Sequence, residues 1–271
     1  MDREPSRMDR EPISLPRLAE MKARGEAITM VTAFDRNSAE VADAAGIDIV
    51  LVGDTAAPEL LGYPGTEPVT IEEMIVLGKA VRRGLRRPLM VGDLPMGAYE
   101  ASDEVAVRSA QRMVKETGCQ VVKLEGGGRS VDRARAIVAA GIPVMGHLGL
   151  TPQSATALGG YKTQGKTDAA AARMLRDALA LQAAGCFSIV FEAVPAAVTE
   201  LIVARLEVPT IGIGAGPATA GQVLVLTDLL GLTTGRKPKF AKPFAQLNGE
   251  MVEGVSRFAA EVRAGEFPSA A

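Results

Sequence analysis

Six short apolar runs in this chain each close on a residue able to do chemistry. Ile49–Val52 leads to Asp54, the run before Asp93 starts at Pro88, and Val121-Val122 leads to Lys123 and then Glu125. Further on, Val144-Met145 leads to His147, the single histidine, and Ser188–Phe191 ends at Glu192. An earlier run, Ala27–Ala33, leads to Asp35. Carboxylates of this kind can hold a hard divalent cation or act as general bases. Lys123 and Glu125 are two apart on an extended run, so they share one face. A lysine on an inward face needs an anion, which a substrate or a neighbouring carboxylate can supply. Each position also has a plain structural reading. Asp54 and Asp93 could cap turns, Lys123 and Glu125 could be a buried ion pair, a lone His is commonly a satisfied structural residue, and Glu192 could be a surface residue at a loop start.

The elements that would carry these residues repeat one design. Helical patterns end at Gly46, Gly118, Gly141 and Gly185, each suited to the left-handed position after a helix. An aliphatic run follows each glycine, as expected of a strand buried on both faces. Strands are also predicted at Ala27–Ala33, Pro88–Asp93, Pro209–Ile213 and Gln222–Thr227. Thr70 and Glu73 have capping-box spacing, and Ser102 and Asp168 suit N-caps. Eight strands alternating with helices over about 250 residues predict an α/β fold, a (β/α)8 barrel, with an open doubly wound sheet as the alternative. In such a barrel the strand ends and the loops after them form the active site. Like charges gathered there repel unless a cation offsets them, and a divalent metal does so most simply. The glycine-rich stretch Gly159–Gly165 would be a loop able to close over a substrate.

Composition narrows the classes. The 271 residues carry 30 Lys+Arg against 32 Asp+Glu, a formal net charge of −2, so bulk charge does not favour nucleic acid. No run of about 18 apolar residues suggests a membrane span, and no apolar leader is visible. One His and two Cys, Cys119 and Cys186, make a Cys/His zinc site improbable, and the expected compartment is the cytoplasm. Residues 1–12, MDREPSRMDREP, contain a short unit used twice and are expected to be disordered. Residues 13–271 are expected to form one barrel domain. Gly212-Ile-Gly214-Ala-Gly216 lacks the context of a dinucleotide loop and suits a tight barrel loop.

The motifs together resemble one family. Thr32-Ala-Phe-Asp35, Leu51-Val-Gly-Asp54, Asp93-Leu-Pro95, Val122-Lys123-Leu-Glu125-Gly-Gly127, Gly146-His147-Leu-Gly-Leu-Thr151-Pro-Gln-Ser154, Leu158-Gly-Gly-Tyr-Lys162, Glu192 before Pro195, Ile211-Gly-Ile-Gly-Ala-Gly216, and Pro238-Lys-Phe-Ala-Lys242 are similar to those of ketopantoate hydroxymethyltransferases. The resemblance runs from about residue 13 to the C-terminal helix. It implies a barrel of the phosphoenolpyruvate/pyruvate type, a homo-oligomer that in many members is a decamer, Mg²⁺, and 5,10-methylenetetrahydrofolate as one-carbon donor. It further implies metal positions at Asp54, Asp93 and Glu125, 2-oxo acid contacts at Asp54, Thr55, Asp93 and Lys123, and Glu192 as proton acceptor. His147 is an accessory residue in this reading. The implied reaction converts 3-methyl-2-oxobutanoate to ketopantoate through a Mg²⁺-stabilised enolate, in pantothenate and coenzyme A synthesis. Thr55 stands where the family usually has Ser, and Gln164–Asp168 replaces a common Gly-Arg-Gly-Asp. The alternatives are another Mg²⁺-dependent 2-oxo acid lyase or decarboxylase on the same barrel, or a non-catalytic metabolite-binding relative.

Overall fold

A computed structural model describes residues 11–235 and 238–269. The expectation of disorder over the first twelve residues falls almost wholly outside that range. The chain divides into two compact units, ending and starting at Leu224 and Val225.

The first unit is a closed barrel of eight parallel strands, paired in chain order with the last beside the first. They are β1 (Ile28–Thr32), β2 (Ile49–Val52), β3 (Leu89–Asp93), β4 (Val121–Glu125), β5 (Val144–Gly149), β6 (Ser188–Glu192), β7 (Thr210–Ile213) and β8 (Gly221–Leu224). Closure excludes the open sheet. The helices are α1 (Leu15–Arg24), α2 (Arg36–Ala45), α3 (Ile71–Gly84), α4 (Asp103–Thr117), α5 (Arg129–Ala139), α6 (Asp168–Ala183) and α7 (Ala196–Val203). Helix α1 precedes β1, and its Leu18 and Met21 join a core cluster with Ile28, Met30, Ile49, Leu89, Val121 and Ile211 from the strands.

Local sequence explains these boundaries. Gly46 and Gly118 close α2 and α4 at φ of 80° and 78°, a region where a side chain would be strained. Thr70 and Glu73 form the reciprocal capping box, and Ser102 accepts from Val105 N at 3.2 Å. Two expectations need correction. The N-cap of α6 is Thr167, not Asp168, which takes the first helical position. The last strand stops at Leu224, and Thr227 lies in the next helix. The run Val223–Leu226 is apolar throughout, so nothing in its pattern marks where extended backbone turns helical.

The outer barrel face meets the helices closely. A Cβ built on Gly92 of β3 would lie 2.6 Å from Met113 Cγ and 3.1 Å from Cys119 Sγ. Gly92→Val is expected to overpack this seam at a cost of about 1–3 kcal/mol, lowering the thermal midpoint by about 3–10 °C. Calorimetry checks this, and an unchanged midpoint would mean that α4 can shift freely.

The second unit holds the short helix α8 (Leu226–Leu230) and α9 (Leu247–Ala264). Within its own unit, α9 leaves Met251, Val255, Phe258 and Val262 uncovered, a stripe at helical spacing. Among the described residues, no helix is long and apolar enough to cross a membrane.

Candidate active site

The strand period decides which side chains reach the barrel axis. Val91, Val121, Met145 and Val190 belong to the interior cluster. Asp93, Lys123, His147 and Glu192 lie two residues further along the same strands, and Glu125 two beyond Lys123. All therefore point inward, stacked above the apolar layer at the C-terminal end of the barrel.

Lys123 is the centre of the cluster. Its Nζ lies 2.8 Å from Asp93 Oδ1, 3.5 Å from Glu125 Oε1 and 3.4 Å from His147 Nδ1. His147 Nδ1 lies 3.1 Å from Glu125 Oε1, while its Nε2 faces Glu192 Oε2 at 3.3 Å, off the hydrogen-bond axis. Asp54 comes from the loop after β2, and its backbone N donates to Asp93 Oδ2 at 3.2 Å. Thr55, next along, has a buried hydroxyl oxygen with no hydrogen-bond partner.

Burial and like charges set the protonation states. Desolvation, then the charges of Asp93 and Glu125, push Asp54 well above the usual carboxylate range. Asp93 is raised by burial, which outweighs the pull of Lys123. Burial opposes ionisation of Glu125 too, but Lys123 and His147 prevail and hold it below the usual range. Desolvation and Lys123 both disfavour an imidazolium at His147, yet Glu125 and Glu192 raise it to about 9. Burial would lower Lys123, but the three carboxylates around it keep it above the ordinary lysine range. Glu192 stands apart. Its side chain is 17% exposed, against 1% for Asp93 and 2% for Glu125, so of these three it is the one open to a ligand.

The sequence-predicted residues Asp54, Asp93, Lys123, Glu125, His147 and Glu192 are thus in one connected cluster, with Thr55 beside it. Asp35 is not. It is exposed and caps α2, accepting from Ser38 N at 2.8 Å, the ordinary use of an Asp after a strand. Two members were not foreseen. Gln153, in the short helical turn Pro152–Ser154, donates from its side chain to Asp54 Oδ2 and from its backbone to Glu125 Oε2. Tyr99 donates its hydroxyl to Gln153 Oε1 at 2.7 Å. Gln153 lies inside the run that begins at Gly146 but carries no charge to mark it, and nothing in the sequence around Tyr99 sets it apart.

Around Glu192, Leu150 N donates to Glu192 O and Ala193 N to Ile213 O. Ala193 itself takes a left-handed φ of 48°. The glycine-rich stretch expected to cover the site is tied here, Gln164 N donating to Ala193 O at 2.9 Å.

Among the described residues, no three His, Cys, Asp or Glu side chains form a ready-made metal cage. Mg²⁺ seldom needs one, since it keeps several waters and takes one or two carboxylates plus substrate oxygens. The donor set fits that pattern. Asp54 and Asp93 are hard oxygen donors, adjacent and under mutual repulsion that a divalent charge would relieve. Both oxygens of Glu125 are engaged, by His147 and by Gln153 N, and both of Asp93, by Lys123 and by Asp54 N.

A closed parallel barrel with charged residues at the C-terminal strand ends is an enzyme architecture, and solved structures share it. One is a phosphonopyruvate hydrolase in complex with oxalate and Mg²⁺, with a TM-score of 0.63, 12% identity, and 94% of this chain and 89% of that one covered. Another is 2,3-dimethylmalate lyase, described as a PEP mutase/isocitrate lyase superfamily member, with a TM-score of 0.61, 15% identity and coverage of 95% and 90%. At these identities the likeness is one of fold. The profile of the ketopantoate hydroxymethyltransferase family matches residues 12–270. The 3-methyl-2-oxobutanoate hydroxymethyltransferase of Heliobacterium modesticaldum is 51% identical over 256 residues, covering 94% of this chain and 93% of that protein. The protein of the same name from Moorella thermoacetica is 52% identical over 259 residues, covering 96% of each. The chain belongs to the ketopantoate hydroxymethyltransferase family. It is an enzyme, a hydroxymethyltransferase of ketopantoate formation, and the lyase and non-catalytic readings give way to that.

Proposed function

We propose that the chain transfers a one-carbon unit from 5,10-methylenetetrahydrofolate to 3-methyl-2-oxobutanoate, with Mg²⁺ and the residues above as its site. The observation that carries this reading is the convergence of Asp54 from the loop after β2, Asp93 from β3, Lys123 and Glu125 from β4, His147 from β5 and Glu192 from β6 at one barrel mouth. Asp54 and Asp93 would hold Mg²⁺ directly, with Glu125 reached through water. When bound, the metal polarises the 2-oxo group and so acidifies the neighbouring C3–H. Lys123 offsets the substrate carboxylate, and the free Thr55 hydroxyl donates to it. Asp54 and Asp93 fix the 2-oxo acid in one orientation. Glu192 accepts the C3 proton, and His147 steadies its carboxylate across the 3.3 Å gap. The resulting enolate carbon bonds to the methylene carbon of the folate as one of its two C–N bonds breaks, and the proton held by Glu192 goes to the freed nitrogen. Water then displaces the second nitrogen, its hydroxyl staying on the carbon and its proton going to that nitrogen, which gives ketopantoate and tetrahydrofolate.

Two further readings belong with this one. The apolar stripe of α9 supports a homo-oligomer with a second copy as its cover, as large as the decamer common in the family. Cys119 and Cys186 are buried free thiols, which suits a reducing cytoplasm.

The test is C3–H exchange of 3-methyl-2-oxobutanoate in D₂O, followed by NMR without folate. Exchange that needs Mg²⁺ and stops on chelation is the expected result. Exchange that is indifferent to divalent metal would remove Asp54 and Asp93 from a metal-binding role.

A further inference from the structure

We propose that Gln153 is a positioning residue for this reaction, one amide that sets Asp54 and Glu125 in mutual register, and that Tyr99 acts through it by deciding which way the amide faces. The inference rests on the proposed function and extends it to two residues that were given no role there.

Gln153 is buried, and its side-chain amide and backbone N–H are engaged. Its Nε2 donates to Asp54 Oδ2 at 2.9 Å and to Leu94 O at 3.0 Å. Its backbone N donates to Glu125 Oε2 at 3.1 Å. Its Oε1 accepts from Tyr99 at 2.7 Å. One residue thus ties the loop after β2, the end of β3 and the end of β4.

The orientation of the amide is determined by its surroundings. Two acceptors, Asp54 Oδ2 and Leu94 O, lie on one side. Flipping the amide would set its oxygen against both and leave Tyr99 facing an NH₂. The Tyr99 hydroxyl is itself constrained, because it accepts from Glu125 N at 3.3 Å, with Glu125 O at 3.4 Å beside it. Its proton goes to the short contact with Gln153. A buried network with every member satisfied has one low-energy arrangement.

The arrangement matters because Asp54 is the carboxyl least at ease. It sits on a loop, buried, with Asp93 and Glu125 as anionic neighbours. Released by Gln153, its carboxylate would be free to turn away from them and would cease to be a cation ligand.

The experiment compares full-length Gln153→Met, Tyr99→Phe and the double variant with the unmodified chain. Methionine keeps the volume and the backbone N–H to Glu125 but removes the amide. Mn²⁺ binding is read by electron paramagnetic resonance, C3–H exchange gives kcat and KM, and thermal unfolding reads the fold. Gln153→Met is expected to weaken Mn²⁺ binding about tenfold and to lower kcat about 100-fold, with KM changed far less. Tyr99→Phe is expected to lower kcat about tenfold, and the double variant to be no worse than Gln153→Met, because Tyr99 acts through that amide. Additive losses in the double variant would overturn the role of Tyr99. A lower unfolding temperature with unchanged Mn²⁺ affinity and kcat would reduce Gln153 to a packing residue. If Gln153→Met fails to fold, Tyr99→Phe still decides: unchanged kcat and Mn²⁺ affinity overturn the inference. An unmodified chain that neither binds Mn²⁺ nor exchanges C3–H would overturn the functional reading and this inference with it.

Discussion

Glu192→Gln is expected to cut C3–H exchange by about 10²–10⁴-fold, the usual span for removing a general base. The substitution is isosteric, so contact with His147 at 3.3 Å can persist while the proton acceptor is lost. Substrate affinity should hardly move, and the thermal midpoint should fall less than for Lys123→Met, because Glu192 is the partly open carboxylate and faces His147, whose imidazolium Glu125 also supports. The measurement is the D₂O exchange rate alongside ligand binding. Exchange that survives in Glu192→Gln would transfer the base role to another group and leave Glu192 a mouth residue.

Lys123→Met is the second large effect, and it falls on stability as well as chemistry. The ammonium lies among Asp93, Glu125 and His147 in a nearly water-free setting. Removing one partner of a buried pair leaves uncompensated charge and costs about 3–5 kcal/mol. For a chain of this size that is about 10 °C in thermal midpoint. Burial alone would lower Lys123, but its carboxylate neighbours prevail and hold it protonated beyond the ordinary lysine range. Because its folded pKa is raised, the stabilisation is full at neutral pH and fades only as pH climbs past that range. Exchange measured well below the new midpoint separates the roles. If Lys123 also meets the substrate carboxylate, KM rises steeply even where the variant is folded. Normal KM there would leave Lys123 as a structural counter-charge only.

Much of this site is legible in the amino-acid sequence alone. Strand positions follow from aliphatic runs of fixed length, and the turns between them follow from Gly46, Gly118, Gly141 and Gly185, all of which take positive φ. The two-residue period then carries chemistry to one face. If Val91 and Val121 fill the barrel, Asp93 and Lys123 must point the same way. The outlier, Asp35, shows the limit of that reasoning. It also follows a strand, but the helix after it offered free N–H groups nearer than the axis, and it capped them. Locally an Asp before a helix and an Asp above a barrel look the same.

Charge state, partner choice and closure belong to three dimensions. No spacing along the chain says that Lys123 lies 2.8 Å from Asp93, or that Glu125 is ionised while Asp54 resists ionisation. Those outcomes depend on desolvation and on charges brought together from elements tens of residues apart. Gln153 and Tyr99 are the clearest case. Both are uncharged, 54 residues apart, and ordinary in their local surroundings, and they acquire a role only because closing eight strands into a ring sets them between two carboxylates. Local propensity and periodicity act over a few residues and were sufficient to specify the strands, their order of faces and the reactive groups. Which of those groups share a proton, a charge or an orientation depends on distances of about 3 Å, and only the closed barrel sets them.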